Sequence, residues 1–371
     1  MCIRDRSRAS EYISQNVASI SWQYGLPLTE PNINDELTYY SAVVFQGDES
    51  YYPKTKPKGQ AKLEKMLYPT DWTGVRTKYF FSALVPEEKA AGAEVLAIEE
   101  GNLKEYSVGL LFNTLSPFNL SLYLGPLEYN RIKTLGKNLD QIMNFGWAFI
   151  RPISKGVHWV LLFLYNYIPN YGFVLIVFSF LIKILVYPLT KKSYQSTAAM
   201  QVVQPEINAL REKYKNNSQK LNQATMKLYK ERGVNPLGGC FPMLLQMPLL
   251  FALFIVFRTT IELRSEPFIW WIKDLSAPDT IFELPFTVPV YGSQVAVLPI
   301  LMVVSMFIQQ KMMTGGVQQP QQKTMQYFMT GFFFLIFNSF PSGLNLYYTL
   351  FNVLTIAQQK LIPPVSSPAV K

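Results

Sequence analysis

The sequence predicts a multi-domain membrane protein: an extracytoplasmic all-β sandwich-like domain, then an all-α core of five transmembrane helices carrying a cytoplasmic helical hairpin. Three observations lead there. Hydrophobic residues make up 49% and aromatic residues 15% of the 371-residue chain, whereas only 16% are charged, which is too apolar for an ordinary soluble protein. The mean hydropathy is nevertheless only +0.10, so part of the chain must be water-soluble. The two kinds of segment are also segregated, with short aromatic and β-branched runs before about residue 125 and apolar runs of spanning length after about residue 170.

Charge and composition exclude several functions. The net charge of +9 does not indicate nucleic acid, because the basic residues concentrate between apolar segments and form no patch interleaved with exposed aromatics. Cys2 and Cys240 lie far apart and His158 is the single histidine, so neither a disulfide framework nor a metal site is expected, and no cofactor.

Residues 1–128 read as the β domain. LTYYSAVVFQ, KYFFSALVP, EYSVGLLFN and LSLYLGPL are short runs separated by Gly, Pro, Asn and Asp, the pattern of strands and turns. An external domain needs an export signal or an upstream anchor. MCIRDRSRASEYISQNVASISWQYG lacks the apolar core of roughly 7–15 residues that a signal requires, so the chain is expected to be N-terminally incomplete.

Residues 129–170 form a linker that ends in an amphipathic stretch interrupted by Pro152 and Gly156, suited to a helix lying in the membrane interface. A span through WVLLFLYNYI is the alternative, but that run falls well short of the roughly 20 residues a crossing needs. The core, 171–361, contains spans at about 171–188, 240–260, 295–311, 325–340 and 343–361. The last two are joined by FPSG and must form an antiparallel hairpin.

Orientation follows from the loops. Lys191, Lys192, Arg211, Lys213, Lys215, Lys220, Lys227, Lys230 and Arg232 crowd the loop after the first span, whereas 265–296 carries only Lys273. The first loop is therefore cytoplasmic, the β domain external and the C-terminus internal. Within 191–235, Val203, Ile207, Leu210 and Tyr214 share one helical face, and Asn216-Asn217-Ser218 breaks the helix before Leu221, Ala224 and Leu228. A helical hairpin projecting into the cytoplasm is expected there, followed after the last span by a short tail, 362–371.

Lys183 stands inside YGFVLIVFSFLIKILVYPLT, where a charge costs about 2.5–3.5 kcal/mol on insertion scales. It either snorkels to the cytoplasmic interface or faces a water-filled cavity. Its neighbours favour the cavity: Ser179 lies one turn earlier, and Gln246, Gln309, Gln310, Asn338, Asn345, Tyr347, Tyr348 and Asn352 place polar groups at depth on other spans. Glu262 stands just beyond the second span, and no acidic residue lies within any span, so a proton relay is not expected. Met243, Met247, Met302, Met306, Met312, Met313, Met325 and Met329 are either ordinary gap-fillers or an adaptable surface that accepts many sequences. Catalysis finds no support, since His158 precedes the first span, Ser342 lies in a loop and there is no phosphate-binding glycine loop.

Five motifs in order carry a resemblance: YGFVLIVFSFLIKILVYPLTKKSYQS, GVNPLGGCFPMLLQMPLLFALF, ELRSEPFIWWIKDLS, MFIQQKM and FPSGLNLYYTLFNVLTIAQQ. Across about 170–361 the chain resembles the Oxa/Alb family of membrane protein insertases. The resemblance implies residence in the bacterial inner membrane, with the β domain periplasmic as in Gram-negative members, and a hydrophilic groove open to cytoplasm and lipid. The function it implies is help for transmembrane segments entering the bilayer, alone or beside the Sec translocon, with no enzymatic step. A positive residue in the first core helix, commonly arginine, marks the groove; Lys183 holds that position and loses the planar guanidinium fork. Ser179 matches the polar position one turn earlier, Met247 and Leu250 match apolar substrate-contacting positions, and Met306, Tyr347 and Tyr348 match groove-lining positions. Gln246 and Asn338 join the polar lining by their depth. Implied partners are nascent membrane proteins, the Sec translocon and membrane lipid. The ribosome is also admitted, although the tail PPVSSPAVK, with one basic residue, offers no obvious ribosome-binding extension. A channel or transporter using the same groove, or a purely structural Sec-associated scaffold, are the competing classes. The first would need paired half-helices or an acidic site near the midplane.

Overall fold

The computed structural model describes residues 17–55, 60–101, 103–215, 217–234, 241–289, 291–314 and 320–361, with backbone alone at 192, 197, 241–245, 313–314, 320–323 and 325–326. Apart from Thr259–Ile261, which group with the first, the chain divides after Asn144 into two compact units, taken in turn.

The first unit is built from antiparallel strands. β1 (Val17–Trp22) is followed by the short helix α1 (Ile33–Leu37), then β2 (Ser41–Gln46), β3 (Glu49–Tyr51), β4 (Lys62–Met66), β5 (Thr70–Arg76), β6 (Phe80–Pro86), β7 (Gly92–Glu100), β8 (Leu103–Asn113) and β9 (Leu120–Pro126), and the unit closes on helix α2 (Tyr129–Thr134). One sheet runs β1-β8-β7-β4 and the other β3-β2-β5-β6-β9. Ala42, Val44, Val75 and Leu84 of the larger sheet pack with Ala93, Val95, Ala97, Val108 and Leu110 of the smaller, which makes the unit a sandwich. The other face of the larger sheet is covered too: Val43, Phe45, Trp72, Phe81 and Ala83 pack against Ile132 of α2 and against Leu139 and Ile142 of the following 3₁₀ turn. Burial on both faces is why β2 reads as an uninterrupted apolar run, AVVF, rather than an alternating one.

Trp72 organises that second face. Its ring stacks on Phe45 at 5.2 Å, meets the edge of Phe81 at 5.7 Å, and its Nε1 donates to the Lys137 carbonyl at 2.9 Å. Gly74 is required beside it, because a Cβ there would stand 2.3 Å from the Ser82 carbonyl oxygen. Arg76 is buried and donates to the backbone carbonyls of Ile142 and Thr77; burial lowers its pKa from the ordinary arginine value. Lys78 pairs with Asp35 at 2.8 Å.

The second unit is helical. α3 (Arg151–Tyr165) buries Ser154, Val157, His158 and Leu161 and leaves Trp159 and Phe163 exposed, a two-sided helix in the stretch where an interfacial one is expected. α4 runs without interruption from Tyr171 to Lys213. The span expected at 171–188 and the first arm of the expected hairpin are thus one helix, with Pro188 and Pro205 inside it. Each proline deprives the carbonyl four residues earlier of its partner. α5 (Ser218–Glu231) returns along α4, capped by the Asn217 side chain accepting from the Lys220 N–H at 2.9 Å. Val203, Ile207, Leu228 and Val234 form the hairpin's own small core, and Arg232 pairs with Glu206 at 2.7 Å.

The remaining elements are α6 (Phe241–Thr259), a two-stranded antiparallel hairpin of β10 (Thr280–Val288) and β11 (Gly292–Ala296), α7 (Val297–Thr314), α8 (Pro320–Phe337) and α9 (Ser342–Leu361). Among the described residues, by length and composition alone, one helical segment, Tyr171–Lys191, is long and apolar enough to cross a membrane; Gln246–Thr259, Val297–Met312 and Tyr327–Phe337 are shorter apolar stretches. Polar ends shorten the latter: α7 finishes in QQKMMT and α8 begins PQQKT. The hairpin within 265–296 was not expected from the sequence, where the segment reads only as a connecting loop. A common core joins Leu161, Val174, Leu175, Phe178, Leu253, Phe257, Leu298, Met302 and Phe337 to Leu344, Tyr347 and Phe351.

Trp72→Ala should destabilise the β unit by about 3–5 kcal/mol, the usual cost of truncating a buried large aromatic. Heating the full chain while following protease resistance of this unit would report it, with Leu63→Ala, on an exposed site, changing little.

Candidate functional site: a buried polar stripe between two helices

α9 is the innermost helix of the bundle at its start. Residues Ser342 to Tyr348 are all buried, and Gly343 allows the approach, since a Cβ there would lie 2.7 Å from the Phe257 ring. The loop ahead of β10 is fastened to it: the Ser342 hydroxyl donates to the Asp274 carbonyl at 2.7 Å and the Gly343 N–H to the Leu275 carbonyl at 3.0 Å. Asp279 then caps α7 from a distance. One carboxylate oxygen accepts from Trp271 Nε1 at 2.9 Å and from the N–H groups of Val297 and Leu298 at 3.1 and 2.8 Å. Burial raises the Asp279 pKa above the usual carboxylate value against the pull of those donors.

Farther along α9 the facing surfaces turn polar. On α4, Ser179, Lys183, Thr190 and Tyr194 are buried and recur at helical spacing, so they form one stripe. Lys183, only 8% exposed, donates its ammonium to the Thr355 hydroxyl of α9 and lies 3.6 Å over the centre of the Phe351 ring. Thr355 in turn donates to the Phe351 carbonyl at 2.6 Å, and the Tyr194 hydroxyl is hydrogen-bonded to the same threonine. One turn on, Gln358 donates to Thr190 at 3.2 Å, while Thr190 donates to the Val186 carbonyl at 3.0 Å just beside Pro188. Ser179 spends its hydroxyl on the Leu175 carbonyl at 2.7 Å. Across α9, Asn352 donates to Ser305 of α7 at 3.2 Å and to the Met302 carbonyl at 3.4 Å.

The opposite face of α4 is the inverse. Phe180, Leu181, Ile184, Leu185 and Leu189 are exposed, Ile184 and Leu185 at 71% and 70%. A helix in water buries its apolar face. Here the polar residues are inside and the apolar ones outside.

The other residues singled out from the sequence fall in several places. Tyr347 and Tyr348 are buried in the common core, with ring centroids 5.2 Å apart, Tyr347 lying 5.8 Å from Phe178; among the described residues neither hydroxyl has a hydrogen-bond partner. Leu250 packs half-buried against that core, Gln246 and Met306 are half-buried, and Met247 is 43% exposed on α6. Asn338 directs its amide to the strand hairpin instead, donating to the carbonyls of Tyr291 and Gln294 and accepting from the Ala296 N–H at 3.2 Å. Thr190, Tyr194 and Thr355 were missed. The signal was the helical phase of Ser179 and Lys183 carried two turns past Pro188, and the three-residue step from Asn352 to Thr355.

Residues 163–366 match the family described as 60Kd inner membrane protein, and residues 8–160 match the family described as YidC periplasmic domain. Among curated relatives, "Membrane protein insertase YidC" of Chlorobium luteolum is 41% identical over 366 residues, covering 96% of this chain and 62% of the relative. The proteins of the same description from Chlorobium limicola and Chloroherpeton thalassium are 41% and 40% identical, covering 96% and 94% of this chain and 62% and 61% of their own lengths. The chain thus spans somewhat under two thirds of these relatives. A crystal structure described as an active YidC insertase with its first transmembrane domain resolved aligns with a TM-score of 0.48 at 20% identity, covering 87% of this chain and 83% of that one.

Thr355→Val keeps the shape of the side chain but removes the oxygen that receives the Lys183 ammonium, so it should cost about 1–3 kcal/mol, whereas Thr355→Ser should cost little. Thermal unfolding of the two variants in detergent would separate them.

Proposed function

Since this chain belongs to the 60Kd inner membrane protein family, we propose that it helps transmembrane segments of nascent proteins enter the bacterial inner membrane, by way of a hydrophilic groove along the polar stripe of α4. The observation that carries the reading is the inverted polarity of α4: Lys183 is buried and held by Thr355 and Phe351, while Ile184 and Leu185 beside it are exposed. Such a helix suits a lipid surround with a polar lane inside.

In this reading the lane lowers the cost of carrying a passenger's polar terminus or loop part-way across, since unpaired polar groups cost several kcal/mol each in hydrocarbon. Lys183 attracts acidic or carbonyl-rich passenger segments. Met247, Leu250 and Met306 offer the passenger an adaptable apolar surface, while Ser179, Gln246, Tyr347 and Tyr348 line or back the lane. Transfer of the passenger's apolar helix into lipid, roughly 25 cal/mol per Å² buried, drives release without nucleotide hydrolysis. The α4–α5 hairpin, rich in lysine, projects into the cytoplasm and receives the substrate, and the β unit is periplasmic. The protein works alone or beside the Sec translocon.

Lys183→Arg is expected to retain insertion and Lys183→Leu to impair it, most for passengers whose translocated segment is acidic. Protease protection of a small single-span substrate in proteoliposomes measures this. Full activity of the leucine variant would remove the charge from the mechanism, and solute flux through the same vesicles would point to a channel instead.

A further inference from the structure

The hairpin β10–β11 has no evident place in the groove. Ile281, Phe282 and Phe286 stand 57%, 58% and 62% exposed within nine residues of β10, and Trp270 in the preceding loop is 83% exposed beside Trp271. An isolated two-stranded ribbon is at best marginally stable in water, and exposed aromatic side chains on one add an aggregation liability. Yet this one is firmly mounted. Asn338 holds its backbone at Tyr291, Gln294 and Ala296, and Asp279, one residue before β10, binds the first turn of α7.

The mount decides what the hairpin meets. β11 passes into α7 without an intervening residue, and the outward side chains of α7, Ile300, Leu301, Val304 and Ile308, are themselves exposed and apolar. The exposed phenylalanines therefore stand on a strand paired with the one that leads directly into a helix read as spanning. Charge identifies the kind of surface. The segment 265–296 holds Glu266, Asp274, Asp279 and Glu283 against Lys273 alone, so attraction to anionic headgroups is absent and apolar burial must supply the binding.

We propose that the β10–β11 hairpin is a membrane-surface anchor that inserts Ile281, Phe282 and Phe286 into the headgroup and acyl boundary of the leaflet at the N-terminal end of α7. Its partner is a zwitterionic lipid surface. Burial of these side chains would steady that end of the groove wall, because the hairpin and α7 are one continuous piece. The inference rests on the reading above that the helical unit spans a bilayer.

The test places an environment-sensitive fluorophore at single cysteines in a full chain carrying Cys2→Ser and Cys240→Ser, reconstituted in phosphatidylcholine and phosphatidylethanolamine vesicles. Probes go at Phe282→Cys and Phe286→Cys, with Leu185→Cys on the exposed face of α4 as the lipid reference and Lys215→Cys at the tip of the α4–α5 hairpin as the aqueous one. Headgroup-proximal nitroxide lipids should quench the two hairpin probes several-fold more than they quench the Lys215 probe, and iodide should quench them several-fold less. Iodide quenching equal to that at Lys215, or shielding from both quenchers as a protein cover would give, overturns the anchor while lipid quenching at Leu185 leaves the spanning helix intact. Loss of lipid quenching at Leu185 overturns the spanning reading and the anchor together.

Discussion

An ammonium group inside an apolar bundle needs a receiver, and most of the helical unit is arranged around supplying one. Lys183 reaches Thr355 and the face of Phe351, which sets how α9 is rotated against α4. That rotation brings Asn352 to Ser305 of α7 and leaves Tyr347 and Tyr348 in the common core. The close approach of α9 at its other end depends on Gly343, where any side chain would strike Phe257. Two kinds of contact thus hold one helix, steric at its start and polar farther along.

The β unit depends on a different constraint. The strands β2 and β5 inside its larger sheet are buried on both faces, so they have no side on which to place a charge without a partner. Arg76 meets that demand with backbone carbonyls, and Lys78, buried in the turn after β5, pairs with Asp35. Trp72 is the matching apolar solution, filling the second face with three contacts from one side chain. The sandwich stands on packing, and the bundle on packing together with a buried polar seam.

Much of this was legible from residues alone. Strand runs punctuated by Gly, Pro and Asn have a period that declares itself, and so does a helix with a cap such as Asn217. Lys183 announced itself by cost. Less legible were features that depend on what lies across a gap. Thr355 is an ordinary threonine until Lys183 is seen opposite it, and Asn338 reads as a polar residue at depth although its amide serves the strand hairpin. The join between the stretch read as the first span and the first arm of the helical hairpin was also hidden. Pro188, followed by Lys191 and Lys192, looks like an ending, yet the helix continues, because a proline removes only the one hydrogen bond to the Ile184 carbonyl and leaves the rest of the ladder in place.

That continuity gives the protein a mechanical property. A 43-residue helix extends about 65 Å at 1.5 Å per residue, roughly twice the hydrocarbon thickness of a bilayer. The wall that carries Lys183 and the arm that meets α5 are therefore a single lever, softened at two points where a proline interrupts the backbone ladder. Lys213 and the buried Lys183 stand on the same helix, with no loop between them. Pro188 falls inside the polar seam, between Lys183 and Thr190, so one of the two interruptions of the ladder sits among the buried polar side chains.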